Sequence, residues 1–237
     1  MTPDSQQGFT LLELSIVLVI IGILSSTLLQ PLGNSIEAAK RRDTEQLLSM
    51  VNQSLIGFAI AHGRLPCPAP LDGPAFEAEP CEGNSIKGTV PAITLGLPTH
   101  RNENGAALDA WNQPLHYVVS GVDHTEAGQR GLPDFTSSGE MQRVGMANLA
   151  ASLEICAEPA GANCPRRSLL ANQVPVLVYS TGKPAEPSEL ESENLDDDAV
   201  FVKRDYSQVQ GLHFDDLLTW IPENLLFYRM MQAGVLP

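Results

Sequence analysis

From residue 9 to residue 29 the chain runs through Leu, Ile and Val with one charge, Glu13, four positions into the run. Coiled as an α-helix at about 1.5 Å of rise per residue, such a run is roughly 30 Å long, the thickness of a hydrocarbon core. A helix apolar all round has few stable settings, because a bilayer or other apolar helices must cover it. A carboxylate at membrane depth costs about 2.5–3.5 kcal/mol or more, so Glu13 calls for a partner. No Lys or Arg stands one helical turn away from it, so that partner comes from outside the segment.

The stretch Gly8-Phe9-Thr10-Leu11-Leu12-Glu13, followed at once by the apolar helix, resembles the processing site of type IV prepilins and type II secretion pseudopilins. The resemblance implies a prepilin peptidase/methyltransferase that cuts after Gly8 and methylates the new terminus at Phe9. It implies that Glu13 sets register during assembly by facing the terminal amine of a neighbouring subunit. It also implies a leader at 1–8, a long N-terminal helix at 9–62 with its transmembrane part at 9–30, and a periplasmic domain at 63–237. The implied protein is a structural subunit of a type II secretion pseudopilus or type IV pilus, not an enzyme. Its partners are other pilins or pseudopilins and an inner-membrane assembly platform. It would sit as a single pass in the bacterial inner membrane, and in a filament after assembly.

Two plainer readings compete. A cleaved secretory signal has a shorter apolar core, and Gly33-Asn34-Ser35 is a poor exit site. An uncleaved span could instead anchor a periplasmic enzyme or binding protein. Lys40, Arg41 and Arg42 lie beyond the run, and the positive-inside rule alone would put the domain in the cytoplasm. The resemblance and the cysteines imply the periplasm.

Four cysteines fall as two local pairs, Cys67 with Cys81 and Cys156 with Cys164. Four cysteines allow three connectivities, of which local pairing is the simplest. Neither pair is a CxxC, so redox catalysis and zinc ribbons lack their spacing. Structural disulfides fit a bacterial periplasm. A net charge of −14 argues against nucleic acid as a partner, since a basic patch is the expected footprint there.

Past the apolar run, Pro31 removes a backbone donor and favours a kink; the resemblance implies a flexible point at this depth. Ile36, Leu47, Leu48, Val51, Leu55 and Phe58 then recur at helical spacing and predict a face packed on the globular domain. His62-Gly63 supplies a stop, with Pro66 beyond it. Asp109-Ala110-Trp111-Asn112-Gln113-Pro114 reads as a turn leading into a strand at 115–119. It resembles the Asp-x-Trp-Gly-x-Pro segment of pseudopilins, with Asn112 where Gly is usual. Residues 153–156 and 168–170 predict a hairpin clasped by Cys156 and Cys164. Residues 174–180 form a strongly apolar strand, 199–202 and 212–221 are further strand candidates, and 222–233 predict a closing helix. The order gives an α+β fold, pilin-like, with a long N-terminal transmembrane-containing helix packed on a C-terminal antiparallel sheet domain.

Acidic residues concentrate at 186–198. Asn194, Asp196 and Asp198 offer oxygen ligands at alternating positions, as calcium loops do. Ala199 stands where an EF-hand needs Gly. Major pseudopilins carry calcium in a comparable loop, whereas a solvated acidic loop is the commoner use of such a run. No other cofactor is expected. Ser180-Thr181-Gly182-Lys183 lacks the upstream Gly and following Ser or Thr of a phosphate loop and reads as a turn. The five histidines form no metal spacing, and no G-x-S-x-G elbow appears. Trp111 and Trp220 are expected in the core.

Overall fold

The computed structural model describes residues 10–78, 87–124, 132–209 and 211–237, without the side chains of residues 25–32. The leader, Gly8, Phe9 and Cys81 lie outside the described residues. Two compact units divide the chain, Met1–Arg42 and Asp43–Pro237. The first helix, α1 (Leu11–His62), crosses that division.

In the first unit Thr10 precedes the helix, and its Oγ1 accepts the Glu13 N–H at 3.2 Å. This is one half of a capping box, and it places the Glu13 carboxylate in the first turn, where the helix dipole favours negative charge. From Leu11 to Leu24 every side chain is exposed. The helix assignment runs through Pro31 unbroken. Among the described residues no helix is long and apolar enough to cross a membrane.

In the second unit α1 turns one face inward. Leu48, Val51, Leu55, Phe58 and Ala59 are buried, whereas Ile36, which belongs to the first unit, is 51% exposed. The helix closes where Gly63 adopts φ 70° and donates to Ala59 O at 2.9 Å, a left-handed C-terminal cap.

Seven short strands follow: β1 (Lys87–Thr89), β2 (His116–Val119), β3 (Leu153–Cys156), β4 (Leu169–Val174), β5 (Val176–Ser180), β6 (Val200–Val202) and β7 (Leu217–Ile221). They form two sheets, where the sequence suggested one. The first, in the order β1-β2-β5-β7, is antiparallel throughout. The second, β4-β3-β6, is mixed: β3 pairs antiparallel with β4 and parallel with β6. A short helix, α2 (Glu140–Val144), precedes β3; a parallel pair needs a long crossover, and here the crossover runs through β4, β5 and the helix α3 (Glu189–Leu195).

The two periods of the strands explain the layering. On the first sheet Tyr117, Val119, Val176, Val178 and Ile221 join the buried side of α1 and the closing helix α4 (Glu223–Gln232) in one core. Val118, Leu177, Tyr179 and Leu218 point the other way and pack on Leu153, Ile155 and Phe201 of the second sheet. A strand covered on both faces needs apolar residues at every position, and all of β5 is buried. Pro175 separates β4 from β5, and its carbonyl accepts Ser120 N–H at 2.8 Å. The apolar run 174–180 is thus shared between two sheets.

The segment after α1 is tied down by an ion pair absent from the sequence reading. Arg64 donates to both oxygens of Glu77, at 2.7 and 3.1 Å, and Glu77 also accepts Cys67 N–H. Burial raises the Glu77 pKa, but the Arg64 bonds and charge outweigh it and hold the group below its ordinary range. Cys67 is not a free thiol.

Candidate functional site

Two places carry polar chemistry that the fold has gone out of its way to position. One is the start of α1, with Glu13 exposed in the first turn beneath a sheath of exposed Leu, Ile and Val. The other is an acidic cleft between the loop after β5 and the approach to β7.

The cleft has a volume of about 330 Å³ and is walled by His116, Lys183, Glu191, His213, Asp215 and Asp216 among others. Glu191 comes from α3, whose start is a full capping box. Ser188 Oγ accepts the Glu191 N–H, and Glu191 Oε2 accepts the Ser188 N–H at 2.7 Å. Glu191 Oε1 also accepts the Asp215 N–H at 2.7 Å. Glu191, Asp215 and Asp216 are all at least 95% buried and offer oxygens within 4.8 Å of one another.

Three carboxylates so close cannot all ionise cheaply. Burial pushes Asp216 up to about 7; the Asn194 hydrogen bond opposes that, and the Glu191 and Asp215 charges add to it. Burial also raises Glu191, but the N–H groups of Ser188 and Asp215 outweigh it and bring the group below its ordinary value. Burial thus favours the protonated form of Asp216. Across the cleft His116 stacks on Tyr179 at 4.7 Å between ring centroids, and burial lowers it to about 4, so it is neutral at pH 7. His213 lies 3.3 Å from Glu191 Oε1 and 3.9 Å from Asp215 Oδ2. Among the described residues neither histidine bonds a Ser, Thr or Cys, so the nucleophile–base pair of a hydrolase is not assembled here.

Of Asn194, Asp196 and Asp198, read from the sequence as a calcium set, Asp196 and Asp198 are brought together, whereas the Asn194 amide turns to Val202. Asn194 is fully buried, with Nδ2 donating to Val202 O and Asp216 Oδ2 and Oδ1 accepting Val202 N–H. The carboxylates that do gather are Glu193, Asp196 and Asp198. Two of them serve turns: Asp196 Oδ1 accepts Asp198 N–H at 3.1 Å, and Asp198 Oδ1 accepts Val200 N–H at 2.8 Å. Lys87 supplies a cation beside them, donating to Asp196 O with its ammonium 3.9 Å from Asp196 Oδ1.

The expected turn before β2 is present and is built on Asp109. Its Oδ1 accepts the N–H groups of Trp111 and Gln113, both at 2.8 Å, while Oδ2 accepts Ser180 Oγ–H at 2.5 Å. Asn112 sits at φ 63°, a left-handed position that Asn tolerates better than most side chains. Trp111 is buried in the main core, and Trp220 packs on the second one. Cys156 and Cys164 are joined across the β3–β4 hairpin, with Cα atoms 5.8 Å apart.

Sequence reading missed α3 and its cluster. The Ser188-x-x-Glu191 capping signal was available but was submerged in the acidic run, and Glu191 lies 24 positions from Asp215, too far for any local motif to join them.

Fold and site together define an α+β protein in which a helix with exposed side chains from Leu11 to Leu24 precedes a sheet domain. Residues 3–29 match the family model described as the Prokaryotic N-terminal methylation motif. This is the type IV prepilin and pseudopilin signal. No curated protein and no solved structure matches the chain.

Proposed function

We propose that the chain is a pilin-like structural subunit, a pseudopilin or minor pilin of a type II secretion pseudopilus or type IV pilus. The observation that carries this reading is the methylation motif at 3–29, which leads into a helix exposed and apolar from Leu11 to Leu24. The subunit would enter the inner membrane through residues 9–30 with its domain in the periplasm. Prepilin peptidase would remove residues 1–8 and methylate Phe9. Pro31 would let the helix bend where it leaves the bilayer.

The apolar helices of neighbouring subunits would then bundle as they leave the lipid. A carboxylate in the first turn of such a helix is matched by a cation near it, and the closest one available is a neighbour's terminal amine at Phe9. Buried in apolar surroundings, that pair is worth much more than a surface ion pair, and removing one partner strands the other. Glu13 would thereby set axial register. Photo-cross-linking from Ile16, substituted with a benzoylphenylalanine, tests the role in cells carrying the assembly machinery. Wild-type chain should give a ladder of helix-linked multimers. Glu13→Ala should still be cleaved but lose the ladder, and an unchanged ladder would contradict the role.

The rival reading, an anchored enzyme, draws on the acidic cleft alone.

A further inference from the structure

The apolar layer between the two sheets does not stop at the protein surface. Trp220 of β7, which packs on that layer, also lines an open cleft of about 710 Å³. Leu170 of β4 walls the cleft from the second sheet, and Lys203, Arg204, Tyr206 and Leu212, which come after β6, wall it further. Leu170 and Leu212 are 51% and 52% exposed, and Val209, whose carbonyl accepts the Leu212 N–H at 2.9 Å, is 61% exposed. Ser207 and Phe214 exchange both backbone N–H···O bonds, at 3.0 and 2.9 Å, so the loop that carries Val209 and Leu212 is fixed at its base. Apolar side chains held open on a fixed loop, beside a concave apolar wall, mark an interaction surface.

Two features of the cleft say what kind of partner fits. The first is charge. Lys203 lies over Trp220, 4.8 Å from the ring centroid, and Arg204 stands next to it in the chain. Asp205 is in the same cleft, and the acidic cleft begins at His213, next to Leu212. Even so, neither Lys203 nor Arg204 is in an ion pair among the described residues. Two unpaired cations on an apolar wall, in a chain of net charge −14, are complementary to a carboxylate brought from outside. The second feature is the backbone. The Lys203 N–H donates to Cys156 O at 2.9 Å at the end of β6, but the N–H and C=O groups of Arg204 and Asp205 make no hydrogen bond among the described residues. Free main-chain donors and acceptors beside an apolar cleft suit an extended peptide laid along them like an added strand. A lipid surface or a small anion would answer the cations but not the alternating donors and acceptors or the concave wall.

We propose that this cleft docks an extended segment of a partner protein in which a bulky apolar residue stands beside Asp or Glu. The apolar side chain enters against Trp220, Leu170 and Leu212. The carboxylate meets Lys203 and Arg204, and the partner's main chain pairs with Arg204 and Asp205. Pockets of this size take one or two large side chains, and the charges set which segments are admitted more than how tightly they hold. Such docking goes beyond the filament reading and does not depend on it.

A random peptide library displayed on phage, selected against the full chain in a non-ionic detergent, is the probe. The selection should enrich peptides with an aromatic or aliphatic residue next to Asp or Glu. The enriched peptide, labelled and titrated by fluorescence anisotropy, should bind roughly tenfold more weakly to Lys203→Glu with Arg204→Glu. Leu212→Ser, which removes an exposed apolar wall and no charge, should weaken it roughly fivefold. Hydrogen exchange at the Arg204 and Asp205 amides should slow when the peptide is bound. No enrichment, enrichment of Lys- and Arg-rich peptides, or binding unchanged in the charge-reversed pair would overturn the site. Slower exchange at 203–212 in phosphatidylglycerol nanodiscs without peptide would assign the surface to lipid and equally overturn it. Melting temperatures within about 2 °C of wild type, expected for substitutions at the surface, exclude misfolding as the cause.

Discussion

Asn194 and Val202 pair as two strands would, although one partner is a side chain. Asn194 Nδ2 donates to Val202 O at 3.1 Å, and Oδ1 accepts the Val202 N–H at 2.7 Å. The edge strand β6 is thereby closed on its open side by an amide from α3. The same Nδ2 reaches Asp216 at 2.7 Å, and the Asn194 carbonyl accepts Tyr179 Oη–H at 2.8 Å. One residue joins α3, β5, β6 and the approach to β7.

Asn194→Ala should therefore cost about 2–4 kcal/mol, because it orphans the buried N–H and C=O of Val202 and removes a donor from Asp216. Urea unfolding followed by fluorescence measures it. A loss below about 1 kcal/mol would show that water replaces the amide.

The acidic cleft predicts two opposed pH dependences. Asp216 has a folded pKa of about 7 against an ordinary 3.8. Between those values the unfolded chain has lost the proton and the folded chain keeps it, so this group favours folding fully below about pH 4 and loses that contribution as pH rises to 7. His116 goes the other way. Its folded pKa of about 4 lies below the ordinary 6.5, so its contribution is present above pH 6.5 and lost as pH falls to 4. Asp216→Asn should remove the loss towards pH 7, and His116→Phe, which preserves the stack on Tyr179, should remove the loss towards pH 4. Melting temperature recorded from pH 4 to 8 separates them; parallel profiles for wild type and both variants would contradict the assignment.

Gly182 and Gly96 form a controlled comparison. Both have positive φ, 65° and 61°. A Cβ at Gly182 would lie 2.5 Å from Asp215 Oδ1 and 2.7 Å from Asp215 O, whereas one at Gly96 meets nothing within 4 Å. Gly96→Ala should cost roughly 1 kcal/mol for its backbone alone. Gly182→Ala should cost that plus about 1–3 kcal/mol for overpacking against the acidic cluster. Equal losses in denaturant titrations would mean that Asp215 moves aside freely.

Much of the architecture was legible where one local rule decided. The stop at His62-Gly63, the hairpin clasped by Cys156 and Cys164, and the Asp109 turn depend on residues a few positions apart. The run 174–180 was legible as strand but not as two strands, because only Pro175 marks the change of sheet. The parallel pairing of β6 was hidden, since nothing in Val200-Phe201-Val202 tells which neighbour it joins. Asn194 shows the limit most clearly. By spacing it belongs with Asp196 and Asp198, yet the helical turn of α3 directs its amide inward to Val202 and Asp216. Periodicity inside an acidic run carried that information, and charge density masked it.

The most direct test of the account is the mass and terminal sequence of the mature chain, purified from membranes of cells that contain prepilin peptidase. The account predicts loss of residues 1–8 and a new terminus at Phe9 carrying one added methyl group. Gly8 replaced by a bulky residue should leave the full-length mass. A wild-type chain that still begins at Met1 beside an active peptidase would contradict it.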